Sequence, residues 1–174
     1  MKYLVKFFVI TFFLIVSTHA FAEQKIVVLD MGYVLNSSKA GKGAQEFLKK
    51  KYNDDSKKFS ELEKSLKKEE SDLLKLKASL TKEEYTKKSD ALRKKVIDYQ
   101  SQRRSSIDKL ATQRLEARKT LMRQIEPILD AYIKENNISL VIDKKNMVGG
   151  STEYDVTKII VEKLDKKFPS LKLQ

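Results

Sequence analysis

The side chains of this sequence that could do chemistry are nearly all charged. Its 174 residues carry 36 lysines and arginines and 24 aspartates and glutamates, a formal net charge of +12, but one histidine and no cysteine. That histidine, His19, lies in the opening stretch "MKYLVKFFVITFFLIVSTHAFA". There Lys2 and Lys6 precede an apolar run from Phe7 to Val16, and Ala20-Phe21-Ala22 forms a small-x-small cleavage site. This is the layout of a secretory signal peptide, and the apolar run is short for a membrane span. Residues 1–22 are therefore expected to be removed, with Ala20 and Ala22 marking the cut and Glu23 opening the mature chain. Losing Lys2 and Lys6 takes the charge from +12 to +10.

The mature chain then has no imidazole and no thiol. It lacks the usual general base, the strongest nucleophile and the commonest metal ligands. Gly149-Gly150 reads as a turn, not a phosphate-cradling loop. The sequence thus predicts no enzyme, no cofactor and no metal site. An exported chain without cysteine also folds without disulfides.

What remains is electrostatic chemistry. Lys75, Lys77, Lys82, Lys87, Lys88, Arg93, Lys94 and Lys95 face only Glu83, Glu84 and Asp90 within one stretch, an excess of five positive charges. Such a run is either a solvated helix surface or a source of attraction for an anionic partner.

Those lysines must be carried on something long. No glycine occurs between Gly43 and Gly149, and Pro127 is the one proline in that span. Leu48, Tyr52, Phe59, Leu62, Leu66, Leu73, Leu76 and Leu80 fall on the a and d positions of one heptad frame, with Gln45, Asp55 and Glu69 as its misses. That narrow stripe predicts a coiled coil, not a globular core. Thr81 with Glu84 reads as a capping box, so one helix is expected over 42–79 and a second over 82–136. The short connection makes them antiparallel neighbours. Glu63–Lys67, Glu84–Lys88 and Asp90–Lys94 are i,i+4 pairs in the favourable order.

On the second helix Leu92, Val96, Tyr99 and Arg103 form the answering seam. Ile107, Leu110, Arg114, Ala117, Leu121, Ile125, Ile128 and Tyr132 continue it after a four-residue shift near "SQRRSS", which reads as a stutter. Pro127 is expected to bend or interrupt the helix.

The flanks have a strand period. Ile26 to Leu29, Leu140-Val141-Ile142 and Met147-Val148 read as three short strands, and Asp155 as the cap of a last helix over 156–167. So small a sheet leaves edges and a thin core. Association between copies through Val27, Val28, Val141 and Ile142 is the expected remedy. The fold class is α+β, mostly α: a β-rich body from 23–41 and 137–174, and a helical-hairpin tentacle over 42–136 with its tip near 79–82.

At this point the chain resembles a known family. "KIVVLDMGYVLNSSKAGKGAQEFLKKK", the charged hairpin after it, "IEPILDAYIKENNISLVID" and "YDVTKIIVEKLDKKF" are together similar to the Skp/OmpH-like periplasmic chaperones over the whole mature length. The resemblance implies a homotrimer with a β-rich trimerisation body and three tentacles around a cavity. It implies an ATP-independent holdase of the periplasm that keeps unfolded outer-membrane proteins from aggregating on their way to the outer membrane. The tip lysines and arginines would then meet the client. Anionic lipid or lipopolysaccharide is a further implied partner. Thr112 and Gln113 stand where the family's lipopolysaccharide site expects a basic pair, with Arg103, Arg104 and Arg114 nearby.

The same seam also suits a coiled-coil spacer of the cell envelope that binds anionic lipid. Such a spacer would not suppress aggregation of unfolded proteins. A nucleic-acid partner, which a pI of 9.6 would suggest, is disfavoured by the signal peptide and by the lack of any recognition motif. Intact-mass measurement on envelope-purified protein is expected to show a chain starting at Glu23. A species retaining Phe7 to Val16 would instead mean a membrane-anchored protein.

Overall fold

The computed structural model describes residues 24–173. Ala20 and Ala22 lie outside that range. Strand β1 (Lys25–Leu29) leads into a short helix α1 (Met31–Ser37), then α2 (Lys39–Leu76) and α3 (Lys82–Glu135). Strand β2 (Ile138–Asp143) follows, with 3-10 turns at Lys144–Asn146 and Thr152–Tyr154, and helix α4 (Thr157–Lys167) closes the order. The class is α+β and mostly α.

The two strands pair in parallel, Val27 opposite Val141 and Val28 opposite Ile142. Parallel pairing requires a crossover connection. Here α1 and the α2–α3 hairpin are that crossover. Val27 and Leu29 of β1 join Ile138 of β2, Leu121, Ile125 and Ile128 of α3, and Ile160 and Leu164 of α4 in one buried core. Strand β1 therefore serves as the floor on which both ends of the chain meet.

Polar bonds fasten the same junction. Asp30 caps α1 by accepting from Tyr33 N–H at 2.7 Å, while its own N–H donates to the buried Thr157 hydroxyl at 2.8 Å. The Lys39 N–H, at the start of α2, donates to Asp165 at 2.7 Å. Ser38, fully buried, separates α1 from α2 and accepts from Gly41 N–H at 3.2 Å. Gly41 must be glycine: a Cβ there would stand 1.9 Å from the Leu35 carbonyl oxygen. This helix starts at Lys39 and ends at Leu76, three residues earlier at each end than the expected 42–79; Asp30 and Ser38 supply the caps and Gly41 supplies room for close packing.

Three other expectations change. Met147-Val148 is not a strand. The chain leaves β2 through a 3-10 turn capped by Asp143, and Val148 stands fully exposed with no strand beside it. Asp155 holds the last helix from one residue farther out, accepting Thr157 N–H at 2.9 Å. Helix α3 runs through Pro127 without interruption. Proline costs one backbone hydrogen bond there, and buried Ile125 and Ile128 on either side fix the helix in the core.

The hairpin seam keeps one heptad frame further than expected. On α3 the inward positions run Leu92, Val96, Tyr99, Ser106, Leu110, Gln113 and Ala117, all buried or half-buried, while Ile107 is exposed. The predicted stutter at "SQRRSS" is absent because Ser106, not Ile107, faces the other helix. Ser106 donates to Asp55 at 2.5 Å, filling a heptad miss of α2 with a hydrogen bond. Glu69, the next miss, accepts from Lys95 at 2.6 Å. Glu63 accepts from the Tyr99 hydroxyl at 3.2 Å, and Tyr99 meets Phe59 edge-on with ring centroids 6.1 Å apart. In these three bonds α2 supplies the acceptor and α3 the donor.

Asp155 also ties the loop after β2 to the body through Lys144, at 2.7 Å. Burial opposes ionisation of its carboxyl, but the bonds from Lys144 and Thr157 outweigh that and bring its pKa down to about 2, from an ordinary 3.8. A depressed acid stabilises the fold above its unfolded pKa and ceases to do so as pH falls through the folded one. Stability should drop as pH falls from about 4 to about 2, by on the order of 1–2 kcal/mol from this group, allowing for its partial exposure. Urea titrations at several pH values should show that slope reduced in Asp155→Asn.

Candidate functional site

The tip is built from the end of α2 and the start of α3. Helix α2 stops at Leu76, whose carbonyl accepts from both the N–H and the hydroxyl of Ser79. Thr81 and Glu84 then form the expected capping box: Thr81 Oγ1 accepts Glu84 N–H at 3.2 Å and Glu84 accepts Thr81 N–H at 3.0 Å. The bond from the Thr81 N–H, then the one from its hydroxyl, holds the Glu84 carboxyl below the usual range. Glu84 is thereby taken up by the cap instead of pairing with Lys88. Asp90 pairs with Arg93 at 3.4 Å and not with Lys94, whereas the Glu63–Lys67 pair forms at 2.7 Å.

Eight tip cations were expected to stand together, and the fold sorts them into two groups. Lys75 pairs with Asp72 at 3.3 Å, Arg93 with Asp90, and Lys95 with Glu69. Lys77 lies over the Tyr85 ring, 5.7 Å from its centroid. Lys82, Lys87, Lys88 and Lys94 make no ion pair among the described residues, and Lys88 acts on the Glu84 carboxylate only from a distance. The stretch 75–95 hides this division because Asp72 and Glu69 precede it in sequence: Asp72 meets Lys75 one turn along α2, and Glu69 reaches Lys95 only once α2 lies beside α3.

Toward the body the hairpin opens into two clefts. One, of about 780 Å³, lies between α2 and α3 and is lined by Leu48, Tyr52, Ala117 and Leu121 among others. The second, of about 620 Å³, lies beside α3 and is lined by Met31, Met122 and Leu129. Leu115 and Arg118 belong to both. Sequence reasoning missed this root. Tyr52 was counted in the seam and is 61% exposed, and Leu115, outside the heptad frame, is 63% exposed. Arg114, placed in the seam by the four-residue shift, is exposed as well.

Of the four strand residues expected between copies, Val27 and Val28 are 3% and 5% exposed within the single chain. Val141 and Ile142 are half-buried. The apolar residues that the strands leave outside are Ile26 and Leu140. Among the described residues no acidic or histidine cluster is arranged to hold a metal, and no helix is long and apolar enough to cross a membrane.

Comparison with known proteins follows the same outline. The family model of outer membrane proteins (OmpH-like) matches residues 25–164. A Skp-like protein of Pseudomonas aeruginosa is 24% identical over 166 residues, covering 95% of this chain and 99% of that protein. The crystal structure of an OmpH-like protein from Caulobacter crescentus superposes with a TM-score of 0.81 at 16% identity. That match covers 91% of this chain and 94% of the other, and it shows a shared fold.

Proposed function

The chain belongs to the OmpH-like outer membrane protein family, and we propose that it is an ATP-independent holdase of the periplasm that binds unfolded outer-membrane proteins. A chaperone role is what the family supports, and the Caulobacter protein is described as an outer membrane chaperone. The observation that carries the finer reading is the surface of the hairpin. Beyond the root cleft its seam is closed, yet Tyr52, Leu74, Ile97, Ile107 and Leu115 stand exposed among lysines and arginines. A client folded into its membrane turns its apolar side chains to lipid and offers few to such a surface, and an unfolded one offers many. Affinity therefore falls as the client folds, and release needs no nucleotide. Long-range attraction from the unpaired tip lysines, screened beyond about 8 Å at physiological salt, draws in acidic chains first.

Three copies around a cavity would multiply these weak contacts. The body has the surface for that association. Ile26 and Leu140, 41% and 51% exposed, lie beside the half-buried Val141 and Ile142 on a two-stranded sheet with little else to cover it. Leu140→Asp should lower the native mass measured by light scattering while leaving helicity intact, since the side chain is exposed in the single chain. A variant that keeps the mass of the wild type would place the contact elsewhere. Val28→Asp is the contrasting control. It puts a charge into the chain's own core and should unfold the body, at a cost of several kcal/mol.

The holdase reading itself is tested by light scattering of a urea-unfolded outer-membrane protein diluted with and without the mature chain. Suppression is expected, and its absence would leave an envelope spacer as the better account. Replacing Lys82, Lys87, Lys88 and Lys94 with Gln removes the unpaired tip charges and keeps good helix formers. Stopped-flow association with an acidic client should slow at low salt and converge with wild type at high salt. Equal rates at low salt would assign capture to the hairpin flanks alone.

A further inference from the structure

The 780 Å³ cleft at the hairpin root has a chemistry of its own. Its floor is apolar, made by the buried Leu48, Ala117 and Leu121. Tyr52 and Leu115 stand at its sides, more than half exposed. The charged side chains that line it are Lys49, Arg114 and Arg118, and no carboxylate lines it. None of these three cations has an ion-pair partner among the described residues. Lysines without an ion pair stand at the tip as well, but the clefts there are also lined by carboxylates, Glu83 and Asp90 in one and Glu69 and Asp72 in another. A greasy floor with an unneutralised positive rim fits a ligand that is apolar at its centre and anionic at its edge.

We propose that this cleft is an anchor for one segment of an unfolded polypeptide, an aromatic or aliphatic side chain seated between Tyr52 and Leu115 with a neighbouring carboxylate on Arg114 and Arg118. The proposal rests on the holdase reading and names the part of the client held at the root. The wider face supports a polypeptide over a second copy of this chain. Counted on the heptad of α3, Ile107 shares position e with Arg114 and Ile97 shares position b with Arg118, on one side of the seam, and Leu115 follows behind them at f. Ile97 is 57% exposed and Ile107 56%. At 1.5 Å per residue, neighbouring apolar positions along this side are about 12–15 Å apart. That is too sparse for a close-packed interface between folded subunits. An extended chain advancing about 3.3 Å per residue would meet one of them every four or five residues. The root cleft joins apolar depth to unpaired cations with no carboxylate in its lining, whereas Glu116, Glu126 and Asp130 line the second cleft beside it, so it fixes the segment while the remaining contacts slide.

Fluorescence anisotropy with the full mature chain tests this using three labelled ten-residue peptides. One alternates Phe and Leu with Asp and Glu, one replaces its acids by Asn and Gln, and one replaces its apolar residues by Ser. The first should bind, and the other two about tenfold or more weakly. Arg114→Gln with Arg118→Gln should weaken the first peptide about tenfold and flatten its salt dependence. Tyr52→Ser with Leu115→Ser should weaken it similarly and leave the salt slope unchanged. All four positions are exposed, so helicity should be unaffected. Undiminished peptide binding in both variants overturns the anchor. So does a fall in native mass, which would make the cleft a contact between copies. Binding of anionic lipid micelles in place of the peptide overturns it too. The same variants are assayed for aggregation suppression. Suppression by wild type alongside unchanged peptide binding in the variants removes the anchor and leaves the holdase reading standing. No suppression by wild type removes that reading.

Discussion

Everything in this molecule hangs on two strand partners separated by the whole hairpin. Strand β1 pairs with β2 and, through Val28 O and Asp30 N–H, with the start of the last helix. Closing so long a loop in a flexible chain would cost about 4 kcal/mol beyond the constant term. The hairpin reduces that cost. Once α2 and α3 zip together, the two strands are brought back to one end of a rod, and the loop left to close is short. In return the body holds the rod's open end, because Leu121, Ile125 and Ile128 of α3 belong to its core. Neither half is well placed to fold without the other.

The seam that does this work is thin by design of its sequence. Buried apolar residues on α2 are confined to Leu48, Phe59 and Leu66 beyond its first turns, and α3 buries none N-terminal to Ala117. Polar pairs fill the layers between. Their orientation gives register more than strength. Acceptors Asp55, Glu63 and Glu69 lie on α2 and donors Ser106, Tyr99 and Lys95 on α3. Pairing α2 with α2 of another copy would oppose carboxylates, so the hairpin favours folding back on itself over joining a neighbour's first helix. The assembly of several copies proposed above would need that discrimination.

The same thinness exposes side chains. A helix pair with a fuller core would have turned Tyr52 and Ile97 inward. Here they remain outside, between cations whose stems are themselves apolar. A surface of this kind suits the proposed binding of unfolded chains.

Much of this was legible in the residues alone. The heptad leucines, the Thr81–Glu84 box and the β-branched runs determined two long helices, their turn and two of three strands, because these are local signals of period and capping. Resemblance to the OmpH-like family was likewise carried by the order of those segments. What the sequence could not decide was pairing between distant residues. Ser106 displaced Ile107 from the seam because Asp55, half a hairpin away, supplied the acceptor. Glu69 neutralised Lys95 only after α2 lay against α3. Val27 turned inward because β2, the last helix and α3 converge on that face of β1, and Val28, on the opposite face, is buried where β1 meets the chain at Asp155. The root cleft arises from Leu48 and Tyr52 meeting Arg114, Leu115 and Arg118 across the fold. Periodicity is a property of neighbours along the chain and can be read there, whereas neutralised charges, filled seam layers and open clefts depend on which distant segments touch, and only the tertiary structure decides that.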